Sequence, residues 1–65
     1  MDSFSNQFRA TVEGFLARTG MKTSEFGRQA ARDPSFVLSL RRGRSCTLAV
    51  ADRVLRFIRD QENKQ

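Results

Sequence analysis

The sequence predicts an all-α fold, a compact bundle of about four helices within a single domain spanning residues 1–65. Three observations carry that expectation. Phe4, Phe8, Val12, Phe15 and Leu16 recur at helical spacing near the start of the chain, and Leu48, Ala51, Val54, Leu55 and Ile58 do the same near its end. Between them, Thr23 to Gly43 reads as two short helices split by the punctuation Arg32-Asp33-Pro34. Two short helices joined by so tight a turn make a helix-turn-helix candidate, whose second helix would be the reading one.

Taken in order, residues 1–4 are expected to be a frayed lead-in, and Ser5 to cap a first helix running to about Arg18. Its phenylalanines are expected in the core, since aromatic stacking platforms for nucleic acid sit on exposed sheets or grooves. Gly20 closes this helix, with Met21 packed beneath the turn. Thr23 is a candidate N-cap for a second helix reaching Ala31, with Phe26 and Ala30 inward and Gly27 at a place of close approach. Asp33 then caps, and Pro34 opens, a third helix of about 34–42 that Gly43 terminates. Phe36, Val37 and Leu40 form its buried side, while Ser35, Leu38, Ser39 and Arg42 face away. Thr47 caps a last helix from Leu48 to about Glu62, and residues 63–65 are expected to fray. On that helix Val50 and Phe57 widen the apolar arc to nearly 180°, and Asp52 is placed to pair with Arg56 four residues on.

Composition bounds the function. The net charge is +5, and between Phe26 and Arg59 eight arginines face only Asp33 and Asp52. A basic excess focused on the paired short helices is the electrostatic footprint of a nucleic-acid binder. The plain alternative is a solvated surface. Catalysis is poorly supplied, because the chain has no histidine, tyrosine or tryptophan and only Cys46 as a thiol. Neither a Cys/His nucleophile pair nor a zinc site of the usual ligands can be assembled, so no catalytic residue, metal or cofactor is expected. A lone cysteine suits a reducing cytosol. The chain shows no signal-peptide pattern and no apolar run near the ~20 residues that span a bilayer, so a cytoplasmic, nucleoid-associated protein is expected.

Residues 23–58 resemble the XRE family, the Cro and phage-repressor-like (lambda-repressor-like) helix-turn-helix regulators. The apolar-small pair Phe26-Gly27, the spacing Val37 to Leu40, the closure Gly43-Arg44 and the amphipathic helix that follows carry the likeness. Two features depart from it. The family usually has glycine and then an aliphatic residue in the turn, where this chain has Ala31 and Arg32, so Phe36 is expected to supply the apolar contact. The fifth helix common in the family is also lacking. By position, the resemblance implies base-reading at Pro34, Ser35, Leu38 and Ser39, with phosphate contacts at Lys22, Thr23, Arg42 and Arg44. An exposed Leu38 suits a groove, where aliphatic groups meet thymine methyls.

The expected function is therefore sequence-specific recognition of double-stranded DNA by a bacterial or phage transcriptional regulator, more often a repressor. A homodimer is expected, with Val50 and Phe57 at the contact. The alternative is a small partner of RNA polymerase or another regulator that docks through the last helix and binds DNA weakly.

Overall fold

The computed structural model describes residues 3–63, and these form four helices with no strand among them. They are α1 (Ser3–Thr19), α2 (Thr23–Ala31), α3 (Phe36–Arg41) and α4 (Leu48–Asn63). The all-α bundle expected from periodicity is what forms. The expected frayed ends at 1–2 and 64–65 lie outside the described residues, whereas Ser3, Phe4 and Asn63 are helical. With α1 starting at Ser3, Ser5 falls inside the helix rather than at its cap.

Local chemistry sets most boundaries. Gly20 ends α1 at φ 71°, donating its N–H to the Leu16 carbonyl at 2.8 Å. Half-buried Met21 packs against the core below that turn. Gly43 ends α3 at φ 93°, with Arg44 N–H reaching back to the Ser39 carbonyl at 3.1 Å. This left-handed closure satisfies carbonyls that the helix leaves without partners. Thr47 caps α4 as expected, its Oγ1 accepting from Val50 N–H at 3.2 Å. Asp52 and Arg56 form the anticipated pair at 3.0 Å.

Two starts differ from expectation. Thr23 is the first helical residue of α2, not its cap; the boundary residue is Lys22, in extended conformation. Lysine has no acceptor, so no side chain caps this end. Likewise Pro34 and Ser35 form a turn, and α3 proper begins at Phe36. Asp33 still organises that start. Its Oδ1 accepts from Ser35 N–H and its carbonyl from Phe36 N–H, each at 3.0 Å. The short i→i+3 bond tightens the first turn and delays the regular helix.

The core draws on all four helices. Phe8, Val12, Phe15 and Leu16 of α1 meet Phe26 and Ala30 of α2, Phe36, Val37 and Leu40 of α3, and Ala51, Val54 and Ile58 of α4. At its centre, the Phe26 ring packs against those of Phe15 at 5.5 Å and Phe57 at 5.6 Å. Such aromatic pairs add about 0.5–1.5 kcal/mol each beyond area burial. Three apolar residues expected inside lie outside: Phe4, Leu48 and Leu55 are 47, 76 and 37% exposed. Phe57, expected to project from α4, is half-buried and edge-on to Phe15 at 6.1 Å.

Candidate nucleic-acid interface

The paired short helices are held by their own side chains. Phe26, fully buried, anchors α2. One residue on, Gly27 brings α2 against the turn: a Cβ there would stand 2.3 Å from the Asp33 carbonyl oxygen. The Gly27 carbonyl accepts from the N–H groups of Arg32 and Asp33, so the turn folds back onto the helix it leaves. Arg32 takes the left-handed conformation, φ 58°, while Ala31 completes α2. The left-handed position of this turn therefore carries a charged residue rather than a glycine. Phe36 is buried, edge-on to Phe8 at 6.3 Å, and supplies the apolar contact expected of it.

α3 spans only six residues and buries Phe36, Val37 and Leu40 on one side. At 100° per residue the opposite side carries Ser35, Leu38 and Arg42, all exposed, with Leu38 at 46%. Pro34 is exposed in the turn before it. Ser39 sits at the margin of this face. It is half-buried and lines a shallow depression with Asp33, Phe36, Arg44 and Ser45. The opposite margin belongs to Arg41, whose guanidinium meets the Glu13 carboxylate through Nε at 2.6 Å and Nη2 at 2.8 Å. Sequence reasoning gave Arg41 no role, since a partner 28 residues away leaves no local signal. The Arg41 hydrogen bond holds the Glu13 carboxyl below its ordinary value of 4.5. Glu13 likewise raises the Arg41 guanidinium above its own ordinary value.

The ion pairs sort the cations. Arg18 pairs with Glu62, Arg28 with Glu25, Arg41 with Glu13 and Arg56 with Asp52. Among the described residues, Arg9, Lys22, Arg32, Arg42, Arg44, Arg53 and Arg59 have no carboxylate within 4.0 Å, though Arg9 and Lys22 still help lower the Glu13 and Glu25 carboxyls from farther off. Three of those, Arg32, Arg42 and Arg44, stand before and after α3. Arg42 and Arg44 are tied to one place, both N–H groups donating to the Ser39 carbonyl at 3.1 Å.

Lys22 is exposed and Thr23 half-buried at the start of α2, where the first N–H groups have no side-chain cap. They are placed by a different helix end from Arg42 and Arg44. Glu25 brings negative charge to that first turn, with its carboxyl lowered by hydrogen bonds from Arg28 and then Gln29. Val50 is half-buried against the core, on the same helix as Phe57. No group of three or more His, Cys, Asp or Glu able to hold a metal occurs among the described residues. No described helix is long and apolar enough to cross a membrane. Compared with protein-family models, curated proteins and solved structures, the chain matches none.

Proposed function

We propose that this protein is a sequence-specific double-stranded DNA-binding regulator of transcription that sets the outer face of α3 in the major groove. The observation that carries the reading is the charge left over at α3. A short helix with a polar and aliphatic outer face is bracketed by Arg32, Arg42 and Arg44, none of them neutralised by a described carboxylate. Flexible cations hold phosphate without reading sequence, whereas short side chains on an inserted face reach base edges. Ser35, Leu38 and Ser39 are assigned to reading, with Pro34 shaping the turn that presents them. Arg42, Arg44 and Lys22 are assigned to phosphate, with the uncapped N–H groups from Thr23 onward aiding the hold at the start of α2.

One pair of variants tests both halves. Replacing Arg42 and Arg44 together with alanine should weaken binding to preferred and random duplexes alike. It should also flatten the salt dependence by about 0.9 in log–log slope per lost contact. Ser39→Ala should instead cost roughly 1–3 kcal/mol on the preferred site and much less on random sequence. An unchanged slope in the first variant removes the arginines from the interface. Equal losses in the second mean that Ser39 does not read bases.

The protein is further proposed to act as a homodimer, because one small module covers only roughly 600–1,000 Å² of its surface on DNA. Two copies on half-sites one turn apart would about double that. Repression, rather than activation, is the sign the family likeness implies.

A further inference from the structure

A groove of about 430 Å³ runs between the start of α1, the end of α3 and the start of α4. Its floor is apolar, formed by buried Phe8 and Leu40. Its rim is apolar too, but exposed. Phe4 stacks on Phe8 at 6.0 Å and stays 47% exposed, and Leu48 is 76% exposed. Arg9 and Arg44 also line the groove, and neither has a described carboxylate within 4.0 Å, although Arg9 is close enough to help Arg41 lower the Glu13 carboxyl. The contrast with nearby seams is informative. Arg41 and Arg18, which join the same helices elsewhere, are each matched to a glutamate.

We propose that this groove docks a segment of a partner protein that carries apolar anchor residues flanked by carboxylates. Two exposed apolar rims leave contact area that an inserted aliphatic or aromatic side chain would cover, the usual centre of a protein–protein contact. Two guanidiniums with no direct ion pair supply the complement to acidic flanks, with Arg suited to bidentate carboxylate pairing. A nucleic-acid backbone would satisfy the arginines but leaves Phe4 and Leu48 without a partner, since phosphate and sugar offer no apolar group to insert. Arg44 also stands in the proposed DNA interface, but docking does not depend on that assignment.

The test is amide chemical-shift mapping of the whole protein with a synthetic helical peptide of roughly three turns, carrying Leu and Phe on one face and Glu elsewhere. Two twins accompany it, one with every Glu changed to Lys and one with Leu and Phe changed to Ser. The acidic apolar peptide should shift Phe4, Arg9, Leu48 and the segment 43–46. Leu48→Gln should weaken it roughly tenfold, the equivalent of partly burying one aliphatic side chain. Arg9→Gln should weaken it severalfold, and both variants should keep wild-type circular dichroism because each residue is exposed. No shift at millimolar peptide overturns the proposal, as does equal binding by either twin. Concentration-dependent shifts of the same residues without peptide would give the groove to a second copy instead. A random DNA duplex that shifts those residues and is weakened by Leu48→Gln would give it to nucleic acid. A wild type that binds no peptide but still binds DNA leaves the regulator reading standing and sinks only the groove.

Discussion

Gly27 and Arg32 decide, at the scale of single residues, how tightly the two short helices are joined. In an open helix, alanine is better than glycine by about 1 kcal/mol. At Gly27 a Cβ would press on the Asp33 carbonyl at 2.3 Å and on Phe36 Cβ at 3.3 Å, and the first of these is backbone. Overpacking of that kind costs about 1–3 kcal/mol, so the clash outweighs the propensity. Gly27→Ala should lower the melting temperature, and a rise would mean that the turn is looser than this. Arg32 points the other way. Its left-handed backbone costs a non-glycine residue about 1 kcal/mol, partly offset in glycine by extra freedom of the unfolded chain. Arg32→Gly should therefore be neutral to stabilising, by up to about 1 kcal/mol in urea denaturation, while reducing affinity for any duplex by one cation's share. A variant that gains stability and keeps full affinity would remove Arg32 from the interface.

At the scale of elements, α3 is too short to persist alone, since helices below about 12 residues are marginal in water. Its position is set by three buried side chains on one face and by the Arg41–Glu13 seam that ties it to α1. Because the Glu13 carboxyl is depressed in the folded state, the seam's contribution is present above the ordinary carboxylate value of 4.5 and is lost as pH falls through the lower folded value. Both side chains are more than a third exposed, 46 and 37%, so solvent screening keeps the contribution small. Glu13→Gln should lower stability slightly at neutral pH and not at all once the carboxyl is protonated. Urea midpoints of wild type and variant at pH values above and below that range check this. A difference that persists at low pH would assign the effect to packing instead. The seam also marks a limit of legibility. The cap on Thr47 and the pair Asp52–Arg56 are local and readable, whereas Arg41 reads in sequence as one more cation beside α3.

At the scale of the whole molecule, the proposed dimer needs an apolar surface, and α4 offers a different one from that expected. Phe57 was the candidate because the apolar arc of α4 looked wider than a thin core required; its ring is instead half-buried between Phe15 and Phe26. Two large apolar residues are left open on α4: Leu48, which lines the groove beside α1, and Leu55, which stands clear of it. Arg59 and Asp52, the latter also paired with Arg56 at 3.0 Å, lie within about one turn of Leu55 on the same side of α4. Two α4 helices running antiparallel about a two-fold axis near Leu55 would set Asp52 of each opposite Arg59 of the other, a self-complementary arrangement. Sedimentation at roughly tens of micromolar should show wild type dimeric and Leu55→Arg folded but monomeric, with weaker DNA binding. Phe57→Arg should lose stability, since it breaks the aromatic cluster. A monomeric wild type counts against the dimer, and a folded, monomeric Phe57→Arg beside a dimeric Leu55→Arg would return the contact to Phe57.

The sequence by itself determined the four helices, the left-handed closures at Gly20 and Gly43, the Thr47 cap and most of the core stripe. Each depends on residues within about one turn of one another, where hydrogen bonding and apolar spacing act directly. Asp33 was legible as the organiser of the turn, although the regular helix starts at Phe36 rather than Pro34. Only the tertiary structure decided which part of each apolar arc is covered. Phe4, Leu48 and Leu55 satisfy the same periodicity as Phe8, Val54 and Ile58, yet remain exposed because the packing of the described residues leaves them uncovered. Phe57 falls at the edge of its arc and is nonetheless packed, because Phe15 and Phe26 reach it from two other helices. The same holds for charge. Periodicity and composition count arginines, but only the packing of α3 on α1 neutralises Arg41 and leaves Arg42 and Arg44 without a carboxylate among the described residues.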